Sequence, residues 1–231
     1  MRYLIALIVL AIIGGGAYWI SKAPTNAPST EEAAELGHTA PENASVVSEG
    51  SYTVIPAESR VEWAGKKPLL EGYINTGSIG VEAGTITVAG DSAQGEFSID
   101  LNTLSVSATP TKPGQENALE SHLKGERWFN VAQYPTATFT ITDITPQEDS
   151  NTTFAYEVAG ELTLKGQTHA VTFPATIYQA EDGRLHAHGE LEVDRTQWGI
   201  TAGSATFFEN LADNAIDDMV KLSFSLVAEK Q

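Results

Sequence analysis

The chain has 231 residues, 42% of them hydrophobic, enough for one all-β domain with a core plus a tether. It contains no cysteine, which excludes disulfides, thiolate metal sites, a cysteine nucleophile and a lipidated cysteine. A formal net charge of -17 excludes nucleic acid as a natural partner, because replacing phosphate counterions takes basic residues, and it favours solubility through mutual repulsion.

Residues 3 to 20 read YLIALIVLAIIGGGAYWI and carry no charge. This length just suffices to cross a bilayer as a helix, and Tyr18 and Trp19 stand where an interfacial anchor belongs. Arg2 precedes the segment and Lys22 follows it, so the N-terminus is expected to stay inside while the bulk crosses. A cleaved signal peptide is the rival reading, but Gly14-Gly15-Gly16-Ala17 offers no A-x-A-like site. Residues 1–22 are thus a membrane anchor or signal segment. Both readings place the domain outside the cytoplasm, on the periplasmic or cell-surface side. Residues 23–50 contain Pro24, Pro28, Pro41 and five glutamates, with no lysine or arginine. Such a stretch buries too little apolar surface to offset ordering and reads as a disordered linker. Asn43-Ala44-Ser45 and Asn151-Thr152-Thr153 match the glycosylation acceptor pattern, which is short enough to arise by chance.

Residues 51–231 read as one domain of alternating apolar and polar residues. Val158, Gly160, Leu162 and Leu164 share one face, with Glu157, Glu161, Thr163 and Lys165 between them. Alternation of this kind makes strands that are half dry and half wet. Strands are predicted at 52–55, 60–65, 71–81, 84–88, 93–100, 137–144, 154–164, 167–178, 184–193 and 219–228. Gly90-Asp91, Lys165-Gly166 and Asp182-Gly183 are turn signals between them. Leu119, Leu123 and Trp128 have roughly helical spacing and predict a helix within 116–129, with a further helical turn near 207–212. The predicted fold is an all-β, extended antiparallel barrel with a short helical insert, preceded by one N-terminal transmembrane helix and a disordered linker. A barrel of about eight strands can hold one small ligand inside.

Strand parity gives the inward residues: Val61, Trp63, Phe97, Ile99, Phe139, Ile141, Leu162, Leu164, Val171, Phe173, Leu191, Val193, Leu222, Phe224 and Leu226. Parity leaves two meanings open: the lining of a tunnel, or a filled core without ligand. Arg195 ends an alternating run, and its rigid fork of donors suits either a ligand head group at the mouth or an ion pair with Asp100 or Asp194. His186 and His188 share a face with Glu190 and Glu192, acceptable chemistry for a divalent metal. That face alternates with Leu185, Ala187, Leu191 and Val193, so it points outward and no metal site is assigned. The sequence has no nucleophile elbow, zinc-protease helix or phosphate-cradling loop, so an enzyme is not expected and no catalytic residue is assigned.

Several segments together resemble the YceI-like family of lipid- or polyisoprenoid-binding proteins. They are Val61-Glu62-Trp63-Ala64-Gly65, Phe97-Ser98-Ile99-Asp100-Leu101, Leu119-Glu120-Ser121-His122-Leu123 and Trp128-Phe129-Asn130-Val131-Ala132-Gln133-Tyr134-Pro135. Gly160-Glu161-Leu162-Thr163-Leu164-Lys165-Gly166-Gln167-Thr168, Val193-Asp194-Arg195-Thr196-Gln197-Trp198-Gly199-Ile200 and Ile216-Asp217-Asp218 complete the pattern. The resemblance implies a lipocalin-like barrel with an apolar tunnel, lined in part by Trp198, around a polyisoprenoid or isoprenoid quinone and with no other cofactor. It also implies an exported protein and admits a homodimer. Trp128 and Trp198 depart from the aromatics common at their positions, which bears on the ligand more than on the fold. The reading is a membrane-tethered carrier that sequesters an isoprenoid-type lipid. The alternative is a ligand-free barrel acting as a stress-related or surface scaffold.

Overall fold

The alternation from Gly50 onward produces nine antiparallel strands and one α-helix in the computed structural model, which describes residues 40–147 and 154–231. The apolar segment 3–20, the linker up to residue 39 and Asn151-Thr152-Thr153 lie outside the described residues. No helix among the described residues is long and apolar enough to cross a membrane. The strands are β1 (Gly50–Val54), β2 (Arg60–Lys66), β3 (Ile74–Ala89), β4 (Ser92–Ala108) and β5 (Thr136–Pro146). They continue with β6 (Ala155–Leu164), β7 (Gln167–Gln179), β8 (Leu185–Asp194) and β9 (Met219–Lys230). Helix α1 (Glu116–Lys124) lies between β4 and β5.

Each strand from β2 to β9 pairs antiparallel with its neighbours, and the pairing of β3 with β4 closes the sheet into a barrel. β1 and β2 occupy one lane between β3 and β9, so the nine strands make eight lanes. A single 3-10 turn at Pro56–Glu58 separates them. The gap in the ladder is bridged at Val227, whose carbonyl accepts from the Ile55 N–H at 2.8 Å and whose N–H donates to Ser59 Oγ at 3.0 Å. Both backbone groups of Val227 therefore stay satisfied where a strand is missing.

The runs 71–81 and 84–88, read as two strands, belong to the single strand β3. Glu82 and Ala83 are both exposed, and the register against β4 shifts between Val81 and Ala83. A bulge inserts one residue there and restores the inward parity of Gly84 and Ile86. β4 likewise runs past residue 100. Its second irregularity opposes Ser78 to Ser105 and Gly80 to Asp100, with the Gly80 N–H donating to Thr103 Oγ1 at 2.7 Å. This turns Leu101 and Leu104 inward, each 1% exposed.

In α1, Leu119 and Leu123 stand one turn apart, and Leu123 is buried against Leu101, Leu104 and Val131. The helix stops at Gly125, earlier than the spacing suggested. There the chain folds back, and Phe129 N and Val131 N donate to the carbonyls of Leu123 and Lys124. Trp128 and Phe129 are thereby laid onto the same cluster. The turn expected at 207–212 forms only at Ala212–Asn214, since Asn210 takes a left-handed conformation with φ 61.

Candidate functional site

Inward side chains of eight lanes leave a cavity of about 210 Å³ along the barrel axis. Its lining is apolar except near one end. Val171 to Ile177 on β7 and Ala93 to Ile99 on β4 both lie along it. The six steps along each of these stretches cover about 20 Å, which projects to about 15 Å of axis at the tilt of a small barrel.

The cavity has one open end. There it reaches Gly90-Asp91-Ser92 at the β3–β4 turn, Pro146 and Tyr156 at the ends of β5 and β6, and Val46 and Val47 just before β1. Residues 40–49 were read as disordered linker, yet they form an ordered strap at this mouth. Ser45 exchanges both backbone hydrogen bonds with Gln179, and Ser48 N donates to the Gln179 side chain at 3.1 Å. The opposite end is filled. One cluster there joins Ile79, Leu101, Leu104, Leu123, Val131 and Ala137, and another joins Leu162, Val193 and Trp198. Trp198 is 1% exposed, and its Nε1 donates to the Leu162 carbonyl at 3.1 Å.

Four phenylalanines form a girdle inside the cavity. Ring centroids are 6.3 Å apart for Phe97 and Phe139, 5.6 Å for Phe139 and Phe173, and 5.3 Å for Phe173 and Phe224. Three of these rings lie against glycines on adjacent strands. Gly84 is the cross-strand partner of Phe97, and Gly189 that of Phe224. A Cβ on Gly160 would fall 2.3 Å from Phe139, and one on Gly189 would fall 2.6 Å from Phe224. The absent side chains let the rings lie along the wall, which keeps the axis open.

Of the residues predicted to line the interior, Val61, Phe97, Ile99, Phe139, Ile141, Leu162, Val171, Phe173, Leu191, Leu222, Phe224 and Leu226 do line this cavity. Trp63, Leu164, Val193 and Trp198 do not; they pack into the filled end. Parity fixes which face a residue takes but not its depth along the axis. Among the lining residues not singled out are Val81, Ile86, Tyr156, Val158 and Ile177. Tyr156 and Val158 share parity with Leu162, a signal that was present in the sequence.

Arg195 is not a mouth residue. It sits at the filled end, 4% exposed, with its guanidinium 5.3 Å from the Trp128 ring. Nε donates to the Asp217 carbonyl, Nη1 to the carbonyls of Ile200 and Ala202, and Nη2 to the Ile216 carbonyl and Asp218 Oδ1. All five donors of the fork are thus committed within the protein, leaving none for a ligand. Burial pulls the Arg195 pKa down, while Asp218, Asp194 and Asp217 push it back up. The ion-pair partner is Asp218, at 3.2 Å, rather than Asp100 or Asp194. Ser204 and Thr206 in turn donate to Asp218 Oδ2 at 2.9 and 2.7 Å. The long loop before β9 is knotted to β8 through this one side chain.

His186 and His188 lie on the outer wall, where they stack on Tyr178 at 5.3 and 6.2 Å. Among the described residues no group of histidines and carboxylates is placed to hold a metal ion.

The fold and its cavity define the class: an all-β, closed eight-lane antiparallel barrel with an apolar cavity open at one end. The YceI-like domain model matches residues 52–228, and the chain belongs to that family. Protein YceI of Escherichia coli O6:H1 is 32% identical over 85 residues, 37% of this chain and 39% of that protein. A UPF0312 protein of Yersinia pseudotuberculosis is 38% identical over 58 residues, 25% of this chain and 28% of that protein. The matched stretches thus span well under half the length of these curated relatives. Among solved structures, Burkholderia cenocepacia BcnA superposes with a TM-score of 0.56 at 24% identity, covering 76% of this chain and 99% of BcnA. A polyisoprenoid binding domain from Saccharophagus degradans gives 0.57 at 19% identity, covering 78% of this chain and 98% of that domain. At such identities these two likenesses establish the fold.

Proposed function

We propose that the barrel binds an amphiphilic lipid of polyisoprenoid or isoprenoid-quinone type and holds its tail away from water. The observation that carries this reading is the apolar cavity, open at one end and plugged at the other. Such a shape admits a linear tail end-on and leaves the head at the mouth. Each buried methylene contributes about 0.8 kcal/mol, so a tail filling the cavity can outweigh the cost of association. The polyisoprenoid binding domain of like fold supports the choice of tail. The uncharged segment 3–20 supports a place outside the cytoplasm, with the carrier kept beside the bilayer that supplies its ligand. The mechanism is sequestration, with no chemical step.

The test is solvent extraction of the purified full-length protein followed by mass analysis of the lipid. About one isoprenoid per chain is expected from the wild type, and none from a folded Phe173→Glu variant, whose carboxylate would stand inside the girdle. A wild-type extract without isoprenoid, from protein that also takes up neither polyprenol nor quinone on incubation, overturns the reading.

A further inference from the structure

One part of the mouth is not built into the sheet. Gly90-Asp91-Ser92, Pro146 and Tyr156 are strand ends and a turn, fixed by the barrel ladder. Val46 and Val47 also line the cavity, but they precede β1 and are carried by the strap alone. We propose that the strap is a gate with Gln179 as its latch: latched, it retains the bound tail, and released, it lets the tail pass. It sets the rate of exchange rather than the strength of binding. The inference rests on the lipid-tail reading above.

The strap is fastened unequally at its two ends. Its foot, Ser48 and Glu49, is bound to β1, to β9 and to the β3–β4 turn. The Tyr52 hydroxyl donates to the Ser48 carbonyl at 2.7 Å. Lys230 Nζ donates to the Glu49 carbonyl at 2.7 Å and to Ser48 Oγ at 3.1 Å, and Gly90 N donates to Glu49 Oε1 at 3.1 Å. The other end is held by one residue. Gln179, the last of β7, exchanges backbone hydrogen bonds with Ser45 at 2.8 and 3.0 Å, and its Oε1 accepts from Ser48 N at 3.1 Å. Gln179 Nε2 donates to the Gly183 carbonyl at 2.7 Å, so the β7–β8 turn keeps the latch in position. Between foot and latch, Val46 and Val47 make no backbone hydrogen bond among the described residues.

What the strap carries is apolar and lies on the path of the tail. Val47 packs against the barrel core, while Val46 is 60% exposed although it lines the cavity. A tail that enters or leaves end-on passes both. Opening breaks the bonds to Gln179 and uncovers Val47, and the foot and every strand stay as they are. A segment held by so few bonds opens locally far more often than the barrel unfolds. The lining that binds the tail is supplied almost wholly by the strands, so opening changes the path more than the affinity. Gating of this kind moves association and dissociation together.

The chain has no cysteine, so a pair introduced at the latch can be locked and unlocked by redox alone. Ser45 and Gln179 face each other as a hydrogen-bonded antiparallel pair. The Cα atoms of such a pair stand about 5.5 Å apart, within the span of a disulfide. Full-length protein carrying Ser45→Cys and Gln179→Cys is loaded with tritiated farnesol, and release into excess phosphatidylcholine vesicles is timed in the oxidised and the reduced form. Oxidation should slow release about tenfold or more and reduction should restore it, while equilibrium affinity changes less than about threefold. Gln179→Ala keeps the backbone bonds, loses the bond to Ser48 N, and should speed release about three- to tenfold. Equal release from the two redox forms, or an affinity that changes as much as the release rate, overturns the gate and leaves the strap a fixed wall, while the carrier reading stands. If the disulfide does not form, unchanged release from Gln179→Ala overturns the gate by itself. If the wild type takes up neither farnesol nor a quinone carrying three isoprene units, the carrier reading falls, and this inference with it.

Discussion

The mouth and the filled end of the barrel are built from the same strands, yet the sequence closes one and leaves the other hollow. At the filled end, tryptophans, leucines and a buried arginine consume the interior. Trp63 and Trp198 each donate an indole N–H to a backbone carbonyl, and the guanidinium of Arg195 ties β8 to the loop before β9. Toward the mouth the large side chains are phenylalanines, held to the wall by facing glycines. A tryptophan fills space and needs a polar partner; a phenylalanine over glycine covers the wall and asks for none. The difference between plug and cavity is therefore made by pairing across strands as much as by side-chain size.

Three substitutions probe that contrast. The largest effect is expected from Arg195→Met, which leaves Asp218 and four backbone carbonyls without their donor. Equilibrium urea unfolding should show a loss of about 3–5 kcal/mol, with tail affinity retained in the folded fraction. A loss below about 1 kcal/mol would mean that the filled end does not depend on this side chain. Next is Gly160→Ala, whose Cβ would stand 2.3 Å from the Phe139 ring and 2.6 Å from the Thr140 carbonyl oxygen. Displacing the ring toward the axis should cost about 1–3 kcal/mol and weaken long tails more than short ones in parallel titrations. Equal weakening at every tail length would contradict the role given to the glycine.

The smallest effect is on the outer wall. Burial lowers the His186 pKa, partly offset by Asp182 and Glu58, while Arg184 lowers it further. Tyr178 and His188 stack beside it. Because the folded pKa lies below the unfolded value near 6.5, folding disfavours the protonated ring. Stability should fall as pH drops below about 6.5 and level off once the folded form also binds the proton. The carboxylates Glu116 and Asp182, whose pKa values are lowered by hydrogen bonds, act only in a more acid window. Urea midpoints at pH 8 and pH 5.5 should converge in His186→Asn if this is right, and stay as far apart as in the wild type if it is not.

Much of the barrel was legible because period-two alternation survives in a single sequence. β2, β7 and β8 lie within a residue or so of where the pattern puts them. β3 looked like two strands because a bulge breaks parity locally while the ladder continues. The lining at Phe97, Phe139, Phe173 and Phe224 followed from parity. Depth did not, so Trp63, Leu164 and Val193 were assigned to the cavity although they plug it, as was Trp198, which the family resemblance placed there. The glycine–ring pairs depend on register between strands, which no single strand encodes. Residues 40–49 looked disordered by composition, but the backbone of β7 offers Ser45 a partner that composition does not see. Arg195 was open between a head group at the mouth and an ion pair with Asp100 or Asp194; the ion pair is what forms, with Asp218 instead. The acceptors of Arg195 lie five to twenty-three residues away, mostly backbone carbonyls, which sequence does not mark.

The shared lane of β1 and β2 has a consequence for when the cavity can exist. Both strands lean on β9, with Tyr52 opposite Lys230 and Trp63 opposite Leu222. Those partners lie more than one hundred and fifty residues apart in the chain. Loop closure over such separations is slow, and barrels dominated by distant pairings fold accordingly. Until β9 has joined, the sheet is an open, edge-exposed ribbon whose phenylalanines face water. The cavity exists only once β9 is in place, and a truncation within β9 would yield an aggregation-prone sheet with nothing enclosed.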